Sequence, residues 1–120
     1  MFLLIFSLAY AADEQHRDVK GPCVDTHITE IGTRLVDGDG TPDPDSGVSI
    51  FFTSGLALVD YSTPAEVKLQ HPGDAVRVCL VAVPIDCPPG DDRGKLYRVQ
   101  DAHLRISYVL PDAQHMCGGA

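Results

Sequence analysis

Tryptophan is absent from the 120 residues, and aromatic side chains make up only 7% of them. The apolar content therefore rests on aliphatic and β-branched residues. Positive charge is also scarce. Nine lysines and arginines stand against seventeen aspartates and glutamates, giving a formal net charge of -8 and a pI near 4.8. Such a chain repels a phosphate backbone, which argues against nucleic-acid binding and favours cations or the basic face of another protein as partners. No apolar run approaches the ~20 residues of a transmembrane helix, so stable membrane insertion is not expected. Helical periodicity is nearly missing, leaving no room for the βαβ crossovers of Rossmann, P-loop or α/β-hydrolase folds. G-x-S-x-G, H-x-H, H-E-x-x-H and C-x-x-C spacings are all lacking. Neither a serine nucleophile nor a zinc site thus has a signature, and no catalytic residue is expected. His27, His71, His103 and His115 are solitary in sequence and read as surface histidines.

What is present is a pattern of short strands. The longest β-branched, apolar stretch is Gly73 to Pro84, with turn residues at both ends. Within it Val76, Val78 and Leu80 alternate with Cys79, Val81 and Val83, so both faces are apolar and the strand reads as central. Cys23 to Val36 is extended, and a parity change beside Gly32 predicts a β-bulge there. Val48–Phe52 and Leu56–Tyr61 flank Ser54-Gly55, a hairpin pattern. Thr63–Gln70 predicts a short helical turn with Pro64 at its first position. Lys95–Val99 and Leu104–Leu110 follow, the latter with Leu104, Ile106, Tyr108 and Leu110 on one face. About six short strands with Gly/Pro punctuation predict an all-β fold, a small antiparallel β-barrel or sandwich.

The first twelve residues, Met1 to Ala12, form an apolar segment ending in Ala9-Tyr10-Ala11, the small-x-small pattern of an export signal. No Lys or Arg precedes the apolar run, and the segment is short for a signal. Residues 13–22 read as a flexible lead-in and 23–120 as one β domain. In an oxidising compartment Cys23, Cys79, Cys87 and Cys117 would form two disulfides, with three pairings open. The pairing favoured here is Cys79–Cys87 as a local staple and Cys23–Cys117 joining the ends.

Two loops carry residues with chemistry. Asp37, Asp39, Asp43 and Asp45 set hard oxygen ligands on a short loop punctuated by Gly and Pro, which suits Ca²⁺. Asp39-Gly40-Thr41-Pro42-Asp43 resembles the core of the thrombospondin type 3 calcium repeats and, more loosely, an EF-hand loop. The resemblance implies a Ca²⁺ site at these aspartates. It departs where Leu35 and Ser46 replace carboxylates and where the closing bidentate Glu is missing. The competing reading is a solvated acidic turn, because Asp and Gly are what turns prefer. In the second loop, Cys87-Pro88-Pro89-Gly90-Asp91-Asp92-Arg93-Gly94, two prolines and a cysteine stiffen the backbone around three charges. A stiff loop loses little entropy on binding, which marks Asp91, Asp92 and Arg93 as partner-binding residues. Arg93 is suited to clamping a partner's carboxylate; alternatively it pairs internally with Asp91 or Asp92. The chain thus reads as a small exported binding domain, an acidic inhibitor or ligand of a basic extracytoplasmic protein such as a lysozyme. A Ca²⁺-binding structural module is the second reading, and no other cofactor is implied.

Overall fold

The computed structural model describes residues 14–119, so the segment read as an export signal lies outside the described residues. Seven strands and one 3₁₀ turn follow in order: β1 (His16–Asp18), β2 (Cys23–Thr33), β3 (Val48–Phe52), β4 (Ala57–Asp60), the turn Ala65–Leu69, β5 (Ala75–Pro84), β6 (Leu96–Asp101) and β7 (Ile106–Pro111). The fold is all-β and antiparallel, as the alternation predicts. The strand order is β4-β3-β2-β5-β6-β7, with β1 pairing the end of β5. Successive strands β2, β3 and β4 are neighbours, and β5 returns across them to the other edge of β2, which is Greek-key connectivity. The sheet curls until β4 and β7 touch without ladder pairing, forming a half-barrel.

Side chains turned into the curl make the core. Ile28, Ile50, Leu58, Val99 and Leu110 are sealed, with Val48, Phe52, Val67, Val76, Val78 and Tyr108 packed around them. Each such aliphatic side chain contributes roughly 1.5–3 kcal/mol relative to exposure. Gln70, Asp101 and Tyr108 form a buried polar chain that ties the β4–β5 crossover to the β6–β7 hairpin. The Tyr108 hydroxyl donates to Gln70 Oε1 at 2.6 Å, Gln70 Nε2 donates to Asp101 Oδ2 at 3.2 Å, and Asp101 Oδ1 accepts the Leu104 amide at 3.0 Å. Burial pushes the Tyr108 phenol well above its ordinary range, and the Asp101 charge adds to that.

Several sequence expectations move. His16–Asp18, within the expected lead-in, is a strand: His16 pairs with Pro84, and its Nε2 lies 2.8 Å from the Gly94 carbonyl oxygen. The β2 irregularity falls between Ile28 and Glu30, not beside Gly32. Pro64 sits just before the 3₁₀ turn, not at its first position. β5 is central in the sheet, yet its first half is wet on one face: Ala75 and Arg77 are exposed while Val76 and Val78 are buried.

The favoured disulfide pairing is overturned. The bonds are Cys23–Cys79 and Cys87–Cys117. β5 stays extended from Cys79 to Pro84, at most about 17 Å at ~3.3 Å per residue, which carries Cys87 away. Cys23 instead lies directly opposite Cys79 across β2 and β5. Leu80 N–H donates to the Pro22 carbonyl, so this is a non-hydrogen-bonded pair, where the two side chains approach closely.

In the turn joining β6 to β7, Arg105 holds a left-handed φ of 57°. Such a backbone costs an L-residue about 1–2 kcal/mol, more for a β-branched one. Arg105→Gly is therefore expected to unfold at a higher denaturant midpoint than Arg105→Val, the two separated by about 1–2 kcal/mol. Equal midpoints would remove the strain argument.

Candidate functional site

Between β2 and β3 the chain makes a tight excursion closed by a lone bridge between Val36 and Pro42. The aspartates serve its turns. Asp37 Oδ1 accepts the Asp39 and Thr41 amides at 3.2 and 2.9 Å, and Asp39 Oδ1 accepts the Thr41 amide and hydroxyl at 3.0 and 2.7 Å. Asp43 Oδ1 accepts the Asp45 amide at 3.1 Å. Hydrogen bonding with the Asp37 carboxyl, then with Thr41, holds the Asp39 carboxyl down at about 2. The loop is pinned at its base, where Arg34 Nε donates to the Ser46 carbonyl at 2.6 Å and the guanidinium lies 4.0 Å over the Tyr61 ring. Asp37 and Asp39 meet through Thr41, while Asp43 and Asp45 serve a separate turn. Among the described residues, no three His, Cys, Asp or Glu side chains gather at metal-binding spacing. Melting with millimolar Ca²⁺ and then with chelator decides the Ca²⁺ reading. Native-state binding at ~100 times Kd adds about 2.7 kcal/mol, a shift of more than ~10 °C for a domain of this size, whereas superimposed curves remove the site.

Between β5 and β6, the Cys87–Gly94 loop is bound to the C-terminal tail. The Cys87–Cys117 bond crosses between them. Arg93 forks onto Asp91, with Nε and Nη2 at 2.9 and 3.0 Å from the two carboxylate oxygens, and Nη2 also donates to the Gly119 carbonyl at 3.0 Å. The Gly118 amide donates to Asp91 Oδ2 at 2.9 Å, and Cys117 N–H donates to the Arg93 carbonyl at 2.9 Å. At the loop's other end, Asp112 Oδ1 accepts the Gly94 and Lys95 amides. Lys95 Nζ reaches Asp92 Oδ2 at 3.1 Å. Of the three residues singled out from sequence, Asp91 and Arg93 are thus joined to each other, and Asp92 projects with an 88% exposed side chain. Sequence reading missed the tail's share; the cysteine at position 117 was its only trace.

The Arg93 guanidinium, followed by the Gly118 amide, holds the Asp91 carboxyl far below the usual carboxylate range. A depressed folded value means the contribution is present above the unfolded pKa of about 3.9 and is lost as pH falls through the folded one. The clamp therefore holds throughout neutral and mildly acidic solution.

A cavity of about 490 Å³ opens on the outer face beside Asp25, His27, Arg77 and Gln100. Its charges satisfy each other, Arg77 Nε meeting Asp25 Oδ1 at 2.8 Å on paired strands. His103 and His115 lie apart, in the β6–β7 turn and the tail, and no described cysteine is free. Comparison with protein-family models, with curated proteins and with solved structures finds no match to this chain.

Proposed function

We propose that the chain is a small exported binding domain that presents the Cys87–Gly94 loop to a basic extracytoplasmic protein, as an inhibitor or ligand. The supporting observation is that the loop is braced on three sides, by a disulfide, the Arg93–Asp91 fork and the tail, while Asp92 stands out at its tip. Bracing reduces the entropy lost on docking, and a net charge of -8 accelerates encounter with a cationic surface. In this reading Asp92 makes the direct contact, and Asp91 and Arg93 hold the loop in shape. Two disulfides fit an oxidising, extracytoplasmic environment, which together with the apolar leader expected from sequence supports the reading of secretion or residence in a periplasm. No helix among the described residues is long and apolar enough to cross a membrane.

Affinity capture with the mature protein, followed by titration of the recovered partner, tests this. Asp92→Asn and Arg93→Met are each expected to weaken binding about tenfold, and Asp92→Asn, which removes a negative charge, also to reduce its salt dependence. A recovered partner bound equally well by Asp91→Asn, Asp92→Asn and Arg93→Met variants sinks the loop assignment.

A further inference from the structure

A smaller cavity of about 220 Å³ lies on the outer face where β1 joins β5. Val81, Ala82, Leu96 and Val109 make its floor, and Asp18 and Arg98 stand at its margins. The floor exists for a local reason. The ladder between β5 and β6 slips between Leu80 and Ala82, a bulge that sets Ala82, with its single methyl, opposite both Asp18 and Leu96. β1 is held beside it by the Val19 amide donating to the Val81 carbonyl at 3.0 Å.

Two opposite charges flank the hollow. Other acid–base neighbours in the chain pair, as Asp25 with Arg77, Asp91 with Arg93, and Lys95 with both Asp92 and Asp112. Asp18 and Arg98 face one apolar hollow, yet neither side chain has a hydrogen-bond or ion-pair partner among the described residues. Arg98 is half-buried beside the hollow, its guanidinium free to meet an incoming anion. A ligand carrying both complementary charges and an apolar body would satisfy all three features together.

We infer that this cavity is a binding site for a zwitterion with an apolar side chain, a free aliphatic amino acid. Its α-carboxylate meets the Arg98 fork, its ammonium meets Asp18, and its side chain lies on Leu96 and Val109. The volume falls below the roughly 300–1,000 Å³ of drug-sized pockets, which suits a single amino acid. A lone anion would leave Asp18 opposing it, and a lone cation would leave Arg98 doing so. The site is separate from the Cys87–Gly94 loop, so either assignment can fail without the other.

Titration of the folded protein with L-leucine, N-acetyl-L-leucine and L-leucinamide, followed by amide chemical shifts, is the test. Leucine should shift Leu96, Arg98 and Val109 saturably, and each blocked analogue should bind at least about tenfold more weakly. Arg98→Met should erase the preference for leucine over leucinamide, and Asp18→Asn its preference over N-acetyl-leucine. Both substitutions lie at accessible positions, and the readout is a ratio of affinities, which a small loss of stability leaves intact. No saturable shift with leucine up to about 10 mM, a Kd beyond useful binding, overturns the site. Equal affinity for leucine and N-acetyl-leucine overturns the zwitterion and leaves a plain anion pocket.

Discussion

Gly47→Ala is expected to lose at least about 3 kcal/mol of stability, because two independent obstacles meet at one atom. Gly47 holds φ at 116°, a conformation that L side chains rarely adopt. A Cβ there would also fall 2.0 Å from the Asp60 carbonyl oxygen and 2.7 Å from the Tyr61 carbonyl carbon. Those atoms are backbone at the end of β4, whose Asp60 is in register with Val48. Relief requires parting β3 from β4, and Arg34 would lose the Gly47 carbonyl that its amide donates to at 3.2 Å. At ~4–8 °C per kcal/mol, the melting temperature should fall by more than ~12 °C. Gly38→Ala is the control: a Cβ there meets nothing within 4 Å, and a change within about 0.5 kcal/mol is expected. Chemical denaturation of both variants checks the pair, and a tolerated Gly47→Ala would mean that β4 is not seated as described.

Removing Cys23–Cys79 with a Cys23→Ser/Cys79→Ser double variant should lower stability by about 4 kcal/mol, from a closure of 56 residues in the chain-entropy account. Removing Cys87–Cys117, which closes 30 residues, should lower it slightly less. The two losses differ in place. The first bond joins strands of different halves of the Greek key, so its loss acts on the whole sheet. The second anchors a loop and a tail, so amide exchange should quicken first around residues 87–94 and 112–119 and spare β2 and β3. Peptide mapping of the oxidised protein should recover Cys23 linked to Cys79; recovery of Cys79 linked to Cys87 would contradict the β2–β5 register.

Strand alternation was readable because each strand's two faces differ in polarity over a few residues, as with Tyr108 and Leu110 against Ser107. The disulfide pairing was not, since it depends on a register between segments 56 residues apart. β1 escaped notice because His-Arg-Asp has no strand composition; its backbone pairs only because the end of β5 has a free edge for it. The Asp37–Asp45 segment was legible as a turn, but composition does not decide which way carboxylates point. The local backbone amides claim Asp37, Asp39 and Asp43. Arg93 was read with two outcomes open, and the geometry selects the internal pair with Asp91. Asp18 and Arg98 carried no sequence signal: eighty positions separate them, and only the bulge in β5 brings them to one hollow.

The return of β5 to the side of β2 also shapes the order of events as the chain is synthesised. The partner for that side of β2 begins at Ala75, long after β2, β3 and β4 are free to associate. A nascent chain therefore passes through an interval with an uncapped ladder of amides and carbonyls, the kind of surface that recruits other nascent chains. Asp25 supplies negative charge along that surface, so aggregation of the half-made sheet should be sharpest at a pH low enough to neutralise it.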